Sequence, residues 1–143
     1  MLLNNKKTIR IISMTLLVVC CLGFAAPIAS AEGSPYIGYY SAGMTAGSNG
    51  KVTVSFMITS SGSTLDEIGA TTVYLFENGV QIKTYSYTST SGMMAYNTFF
   101  HGMDISYNGT IGKTYYAFVV YKAGSNGDWD NRSLTSNTVT AKN

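Results

Sequence analysis

The stretch Gly112-Lys113-Thr114-Tyr115-Tyr116-Ala117-Phe118-Val119-Val120-Tyr121-Lys122 decides the fold of this chain. It is the longest run of β-branched and aromatic residues after the N-terminal region, and no glycine or proline interrupts it, so it predicts a central β-strand. Side chains alternate along a strand, which places Tyr115 and Val119 on one face and Tyr116 and Phe118 on the other. Both faces are apolar. One face is expected in the core, and the other is expected either to be covered or to bind a partner.

The N-terminal residues 1–31 have the pattern of a secretory signal peptide. Basic residues open the chain, the apolar run Ile11 to Leu22 follows, and Ala29-Ser30-Ala31 provides the small residues of a cleavage site. The apolar run is short for a membrane span. The sequence therefore predicts cleavage after Ala31, a mature domain of residues 32–143, a secreted location and no stable membrane anchor after cleavage.

Processing changes both the cysteine content and the charge. The two cysteines, Cys20 and Cys21, lie in the predicted signal peptide, so the mature domain is expected to be free of disulfides, which favours a bacterial exported protein. Three of the nine basic residues also lie there, which leaves six against seven acidic residues. The mature domain is nearly neutral and has no basic stripe, so it is not expected to bind nucleic acid or anionic lipid.

Short β-type runs separated by glycine, serine and asparagine recur after Ala31, whereas helical periodicity does not. The segment Lys51–Thr59 alternates most regularly, with Val52, Val54, Phe56 and Ile58 on one face, and is expected to form a half-buried strand. Asn78-Gly79 predicts a type I′ hairpin turn, because both of its central positions need positive φ. Met93–Tyr96 is compatible with a helical turn, and Ala123–Arg132 is interpreted as a polar loop. About seven strands with turns at short intervals predict an all-β, single antiparallel two-sheet β-sandwich.

The pattern Gly112-Lys113-Thr114-Tyr115-x-Ala117-x-Val119 resembles the penultimate strand of fibronectin type III and Ig-like modules. The run Val52-x-Val54-x-Phe56 is similar to their second strand. The resemblance implies that Tyr115 is a corner tyrosine, whose hydroxyl bonds back to the backbone just before the strand. The chain departs from the Ig pattern because its single tryptophan, Trp129, follows the central strand instead of lying in the third strand.

The chain also resembles small exported domains of unknown function from Gram-positive bacteria. The segments Asp66-Glu67-Ile68-Gly69 and Met93-Met94-Ala95-Tyr96-Asn97 carry this second resemblance. It implies no activity.

The residues give little support to catalysis. The single histidine, His101, lies in an apolar stretch, and no cysteine remains in the mature domain to act as a nucleophile. Asp66 and Glu67 are adjacent in an extended segment, so their carboxylates are expected to point apart. Asp128 and Asp130 are weak candidates for calcium ligands, but a solvated turn is the more ordinary interpretation. We expect a protein that is not an enzyme and has no cofactor.

Binding through aromatic side chains is the main functional hypothesis. If Tyr115 points inward, the opposite face of the same sheet should carry a set of aromatic residues, with the tryptophan as a further candidate. The alternative is that the segment 93–97 or the N-terminal segment covers this face. The predicted binding residues are Tyr74, Phe76, Tyr116, Phe118 and Trp129.

Two functional classes follow from this aromatic face. The first is a non-catalytic extracellular recognition module that binds a protein partner or a second copy of itself. The second is a carbohydrate-binding module that stacks envelope sugars on exposed tyrosine, phenylalanine and tryptophan rings. Hydroxyl and amide donors beside the aromatic rings would favour sugar, whereas a purely apolar patch would favour protein.

Overall fold

A computed structural model of the chain describes residues 29–30 and 33–143, and within these residues all the regular structure is β-strand. The predicted signal peptide lies outside the described residues, apart from Ala29–Ser30. The strands in chain order are β1 (Ala29–Ser30), β2 (Ile37–Ala46), β3 (Lys51–Ser60), β4 (Leu65–Glu77), β5 (Val80–Ser86), β6 (Met94–Thr98), β7 (Phe100–Asn108), β8 (Thr114–Ser125), β9 (Asp128–Thr135) and β10 (Val139–Thr140).

The strands form two antiparallel sheets, and the predicted all-β sandwich is confirmed. The first sheet has the order β1-β2-β3-β7. In the second sheet β8 and β4 lie side by side at the centre, with β9 and β10 paired to the outer edge of β8 and β5 and β6 to the outer edge of β4. The stretch that decides the fold is therefore the central strand β8, as predicted.

The core lies between the two sheets because alternate residues of the long strands point inward. On β3 the inward residues are Val52, Val54, Phe56 and Ile58, which are those that the alternation predicted. On β8 Tyr115, Val119 and Tyr121 are fully buried. Among the described residues, the buried core extends from Ile37 to Ala141, and all of these residues belong to the predicted mature domain.

Tyr115 forms the corner contact that the family resemblance implied. Its side chain is 0% exposed, and its hydroxyl accepts a hydrogen bond of 2.8 Å from the backbone N–H of Thr110, in the connection that precedes β8. The same hydroxyl donates to the Glu77 carboxylate on β4. Gly109 lies against the ring, since a Cβ there would be 2.7 Å from Tyr115 Cζ. The corner therefore needs a small residue as well as the tyrosine.

Two Asn-Gly turns join strands of the second sheet. Asn78 and Gly79 have φ values of 47° and 83°, which confirms the predicted β4–β5 hairpin. Asn126 and Gly127 have φ values of 55° and 80°, so the predicted polar loop at Ala123–Arg132 is wrong. The segment is a second hairpin of the same type, because an Asn-Gly pair accepts positive φ at both positions. Trp129 consequently lies on a strand.

The segment 93–97 also differs from the prediction. Residues Met94–Thr98 form strand β6, which pairs with the first half of β4, and the Met93 side chain is buried in the core. Gly69 permits this close pairing, because a Cβ there would lie 2.3 Å from the Met93 carbonyl oxygen. The segment therefore extends the second sheet at its edge, and it does not form a helical turn or lie over the sheet.

Candidate functional site

The outer face of the second sheet carries four aromatic residues in two cross-strand pairs. Because Tyr115, Ala117 and Val119 are buried, Tyr116 and Phe118 point to the opposite face of β8. On β4, Tyr74 lies opposite Phe118 and Phe76 lies opposite Tyr116. We call these four residues the aromatic quartet. The structure thus brings together four of the five residues that the sequence predicted for binding.

The rings of the quartet pack on one another. The Phe76 and Tyr116 rings are parallel within 5°, with centroids 4.7 Å apart. The Tyr74 and Phe118 rings are tilted by 33°, with centroids 6.2 Å apart. Pairs of this kind contribute about 0.5–1.5 kcal/mol each beyond the area that they bury. Each of these two stacked rings has one face turned toward its partner, so the stacking leaves the opposite face and the edges of each ring for other contacts.

All four quartet side chains are half-buried. The described residues of the two candidate covering segments do not lie over them. The segment 93–97 is part of β6, and the N-terminal residues Ser34 and Tyr36 bond to carboxylates of β9. Among the described residues, the strands that contact β4 and β8 are either their neighbours in the second sheet or strands of the first sheet across the core. No other strand of the described structure therefore packs over the quartet.

Polar side chains flank the quartet on both sides. On β5, Thr84 lies opposite Tyr74 and Gln81 lies opposite Phe76, and the Gln81 amide donates to the Thr84 hydroxyl at 3.0 Å. On β9, Thr135 lies opposite Phe118. The quartet is thus flanked by polar side chains of β5 and β9. The neighbouring tyrosine of β5, Tyr85, lies opposite a buried valine of β4 and packs against the core, so it does not extend the quartet.

Trp129 lies on the same face but at the far end of the sheet. It pairs with Gly124, six residues beyond Phe118 along β8, which corresponds to about 20 Å. A Cβ on Gly124 would lie 2.7 Å from Trp129 Cε3, so the indole packs on the open glycine backbone. Lys122 Nζ lies 3.8 Å from the ring centroid and forms a 2.8 Å ion pair with Glu67. Trp129 is therefore not part of the quartet.

Sequence reasoning missed the cluster of Trp129, Lys122 and Glu67. The available signal was Asn126-Gly127, which would have predicted the β8–β9 hairpin and placed the tryptophan opposite Gly124. The ammonium group over the indole is a cation–π contact, and such contacts stabilise by about 0.5–1 kcal/mol at exposed sites. This contact occupies one face of the indole, although Trp129 remains 38% exposed.

The candidate calcium ligands Asp128 and Asp130 bond to hydroxyl groups of the N-terminal segment. The Asp130 carboxylate accepts from Ser34 Oγ, and Asp128 accepts from the Tyr36 hydroxyl at 3.2 Å. Within the described residues, no three side chains of metal-ligating type form a group. The two aspartates attach the start of the domain to β9.

The candidate catalytic residues have structural contacts. His101 Nε2 lies 2.7 Å from the Gly92 carbonyl oxygen, and its ring packs edge-on against Phe56. Asp66 accepts from the Asn126 backbone N–H at 2.7 Å, whereas Glu67 pairs with Lys122. The adjacent carboxylates thus have separate partners.

One buried hydroxyl lies away from both surfaces. Burial raises the pKa of the Tyr121 hydroxyl, which donates to the Ser41 carbonyl oxygen at 2.6 Å. This bond joins the central strand of one sheet to β2 of the other, so the tyrosine has a structural role in the core.

No family model, curated protein or solved structure matches this chain. Of residues 29–30 and 33–143, none belongs to a helix long and apolar enough to cross a membrane. The fold places the protein in the general class of antiparallel two-sheet β-sandwiches.

Proposed function

We propose that this chain is the precursor of a secreted bacterial β-sandwich module, without catalytic activity, that recognises an extracellular protein partner through the aromatic quartet. The observation that carries the proposal is the pair of cross-strand aromatic contacts on a sheet face that no described strand covers. Aromatic residues are enriched at protein interfaces, and contiguous apolar patches on a surface mark interaction sites.

The strand arrangement supports a fibronectin type III or Ig-like module. In the order of such modules, β2, β3 and β7 correspond to strands A, B and E, and β4, β8 and β9 correspond to C, F and G. The corner contact of Tyr115 lies at the start of the F-like strand, as it does in those modules. Trp129 on the G-like strand remains a departure from the Ig pattern.

Export is supported by the N-terminal sequence. The basic residues, the apolar run and Ala29-Ser30-Ala31 favour a cleaved signal peptide, and the absence of cysteine after residue 31 favours a bacterial origin. Every member of the core among the described residues lies at or after Ile37. A domain that begins at Glu32 would therefore keep all of these core residues.

The ring geometry favours a protein partner over a sugar. A sugar ring stacks on a free aromatic face, and the stacking of Phe76 on Tyr116 at 4.7 Å occupies one of the two faces of each ring. One face of the Trp129 indole is occupied by the Lys122 ammonium group. Two cross-strand aromatic pairs that include tyrosines suit the packed centre of a protein interface, where tyrosine supplies both apolar area and a hydrogen-bonding group.

Carbohydrate binding is the second candidate, and the polar flanks of the quartet favour it. Gln81, Thr84 and Thr135 place amide and hydroxyl groups directly beside the aromatic rings. Sugar-binding sites combine apolar surface with a few convergent polar groups. This candidate predicts that binding depends on Thr84 and Gln81 as well as on the rings.

The test compares the variants Phe118→Ala and Tyr74→Ala with the wild-type domain. Because these side chains are half-buried and each variant also loses one aromatic pair contact, we expect each variant to lose about 1–2 kcal/mol of unfolding free energy, below the roughly 3–5 kcal/mol of a fully buried aromatic truncation. We expect each variant to lose at least tenfold in binding to the envelope fraction of the producing cell, measured by co-sedimentation. If the partner is a second copy of the domain, the same loss should appear in self-association, measured by size-exclusion chromatography.

Two matched controls make the result specific. Tyr87→Ala removes an exposed tyrosine that lies beyond the end of β5, and it should leave retention unchanged. Leu75→Ala truncates the buried neighbour of Tyr74 and should lower the melting temperature strongly. If Phe118→Ala behaves like Leu75→Ala and retention is unaltered, the quartet is part of the core and the recognition proposal is wrong. Retention that survives protease treatment of the envelope but not polysaccharide removal would instead support the sugar candidate.

A further inference from the structure

The backbone edge of β2 that faces away from β3 is hydrogen-bonded at two points, once by a side chain and once by a short strand. Near its end, the Asn137 side chain takes the place of a neighbouring strand. The Met44 N–H donates to Asn137 Oδ1 at 2.8 Å, and the Asn137 amide donates to the Met44 carbonyl oxygen at 2.9 Å. Nearer its start, β1 pairs with β2 in the register Ala29 with Tyr40 and Ser30 with Tyr39.

The backbone groups between these two points belong to the same edge. In an antiparallel strand, the N–H and C=O groups of alternate residues point to the same side. Since Met44 directs both groups to the outer edge, Ala42 and Tyr40 do so as well. The backbone of Ala29 lies where it can pair with Tyr40, so this edge accepts an added antiparallel strand.

The accepting segment is short and has fixed ends. Asn137 closes it at Met44. At the other end, the hydroxyl of Ser34 bonds to the Asp130 carboxylate and its oxygen also accepts from the Ile37 N–H at 2.8 Å, so the chain that enters β2 is attached to β9. About four residues, Tyr39 to Ala42, remain between these ends. An edge of this length suits one short extended segment.

A cavity of about 380 Å³ lies beside this edge. It is lined by Tyr40 of β2, Val120 of β8 and the β9 residues Asn131, Arg132 and Ser133. Because directly opposed residues of an antiparallel pair share a face, a side chain opposite Tyr40 would lie on the cavity side. The backbone edge and the cavity together have the two parts of a strand-addition site, in which main-chain bonds give affinity and a pocket gives specificity.

We propose that the mature domain binds an extended peptide segment of a protein partner along β2, antiparallel to residues Tyr39–Ala42, with small residues opposite Tyr39 and Tyr40. Small residues fit because alanine and serine hold these positions in β1. The site depends on the export part of the proposed function, since removal of residues 1–31 frees the edge. It is separate from the aromatic quartet, which lies on the outer face of the other sheet.

The experiment uses the domain of residues 32–143, which contains every described core residue, and a synthetic peptide of residues 27–32 as the probe. We expect the peptide to shift the backbone amide resonances of Tyr40 and Ala42 and to slow their hydrogen exchange by about tenfold or more at saturation, because new backbone bonds protect them. In the chain 1–143, the same amides should already be protected without peptide. Amides of the β5 edge serve as the internal reference and should not change.

Two controls test whether the peptide binds along β2 through its backbone. A peptide with Ala29→Pro lacks the N–H that would bond to Tyr40 and should shift these resonances at least tenfold less at the same concentration. The Phe118→Ala domain should bind the peptide as well as the wild-type domain does. Peptide binding along β2 is therefore tested independently of the quartet, and it can be observed even if the quartet proposal is wrong. Unchanged Tyr40 and Ala42 amides at millimolar peptide would overturn the proposal. Protection of these amides without peptide, accompanied by dimerisation of residues 32–143, would also overturn it, because the occupant would then be a second copy.

Discussion

Tyr115 shows how one residue connects the local sequence to the packing of the sandwich. The inward position of the ring and a bond from its hydroxyl to the backbone before β8 were expected from the sequence, and the hydrogen bond to Thr110 is that bond. The bond to Glu77 was not expected, because the two residues are 38 positions apart and meet only when β4 pairs with β8. The Tyr115 hydroxyl therefore links the connection that precedes β8 to the neighbouring strand β4.

Removal of this hydroxyl should be costly. Tyr115→Phe leaves the Thr110 N–H without its partner in a partly buried corner, so we expect a loss of about 1–3 kcal/mol in unfolding free energy. Tyr116→Phe, on the outer face, should lose about 0.5 kcal/mol or less. Urea unfolding of both variants measures the difference. Equal and small losses would contradict the role of Tyr115 as the corner residue.

The buried tyrosines also predict how stability depends on alkaline pH. Burial raises the pKa of Tyr121, and burial together with the hydrogen bond to Glu77 raises the pKa of Tyr115. In the unfolded chain tyrosine loses its proton near pH 10, so above that pH the unfolded state binds fewer protons than the folded state. The stabilisation is complete below about pH 10 and is lost as the pH rises toward the raised pKa of the folded protein.

We therefore expect the melting temperature to be nearly constant from about pH 8 to pH 9.5 and to fall steeply above about pH 10. The matched variant is Tyr121→Phe, which cannot ionise at this position. It should melt lower at about pH 8, because it loses the bond to the Ser41 carbonyl oxygen, but its melting temperature should decline less between about pH 10 and pH 11.5. If the melting temperatures of the two proteins fall in parallel with rising pH, Tyr121 does not contribute to the alkaline loss of stability.

At the scale of the element, the β8–β9 hairpin determines where the only tryptophan lies. Its turn residues Asn126 and Gly127 both have positive φ, which sets a two-residue connection and pairs Gly124 with Trp129. The tryptophan then covers the glycine, and the lysine covers the tryptophan. A glycine inside a strand lacks a side chain to pack, and a cross-strand aromatic residue compensates for it.

The turn offers a clean test because the Gly127 Cβ position has open space around it. Gly127→Ala should therefore cost about 1–2 kcal/mol through the backbone conformation alone, since φ is +80° and L-residues are strained there. The matched control is Gly47→Ala, in an exposed connection where φ is not positive and a Cβ would make only ordinary contacts. It should be neutral or slightly stabilising. Similar effects for both variants in thermal melts would contradict the hairpin geometry.

At the scale of the whole molecule, the sandwich has to protect the edges of both sheets. Unpaired strand edges promote association, and charged residues or bulges on an edge oppose it. The β5 edge carries Lys83 beside a register shift in its pairing with β4, and the β9 edge carries Asp128 and Asp130. The β2 edge is different, because Asn137 and β1 close it and β1 belongs to the segment predicted to be removed.

Processing can be tested on the whole chain. The protein recovered from the medium of the producing cell should begin at Glu32 and contain no titratable thiol, because both cysteines lie upstream of Ala29-Ser30-Ala31. Intact-mass measurement with a thiol assay decides this. A secreted protein whose mass still includes Cys20 or Cys21 would contradict the predicted cleavage.

The sequence by itself determined the features that depend on local pattern. Alternation predicted the inward residues of β3 and β8, and Asn78-Gly79 predicted the first hairpin, because side-chain period and turn chemistry act over a few residues. Tyr74, Phe76, Tyr116 and Phe118 could be grouped in advance because period-two alternation leaves only two faces to choose from.

Only the tertiary structure decided the contacts between distant parts of the chain. Met93–Tyr96 looked compatible with a helical turn, yet it became a strand because pairing with β4 satisfies its backbone groups. The stacking of Phe76 on Tyr116, the bond between Tyr115 and Glu77 and the closure of β2 by Asn137 all depend on register between strands. Register is set by the joint burial of both sheets, which no local segment of the sequence specifies.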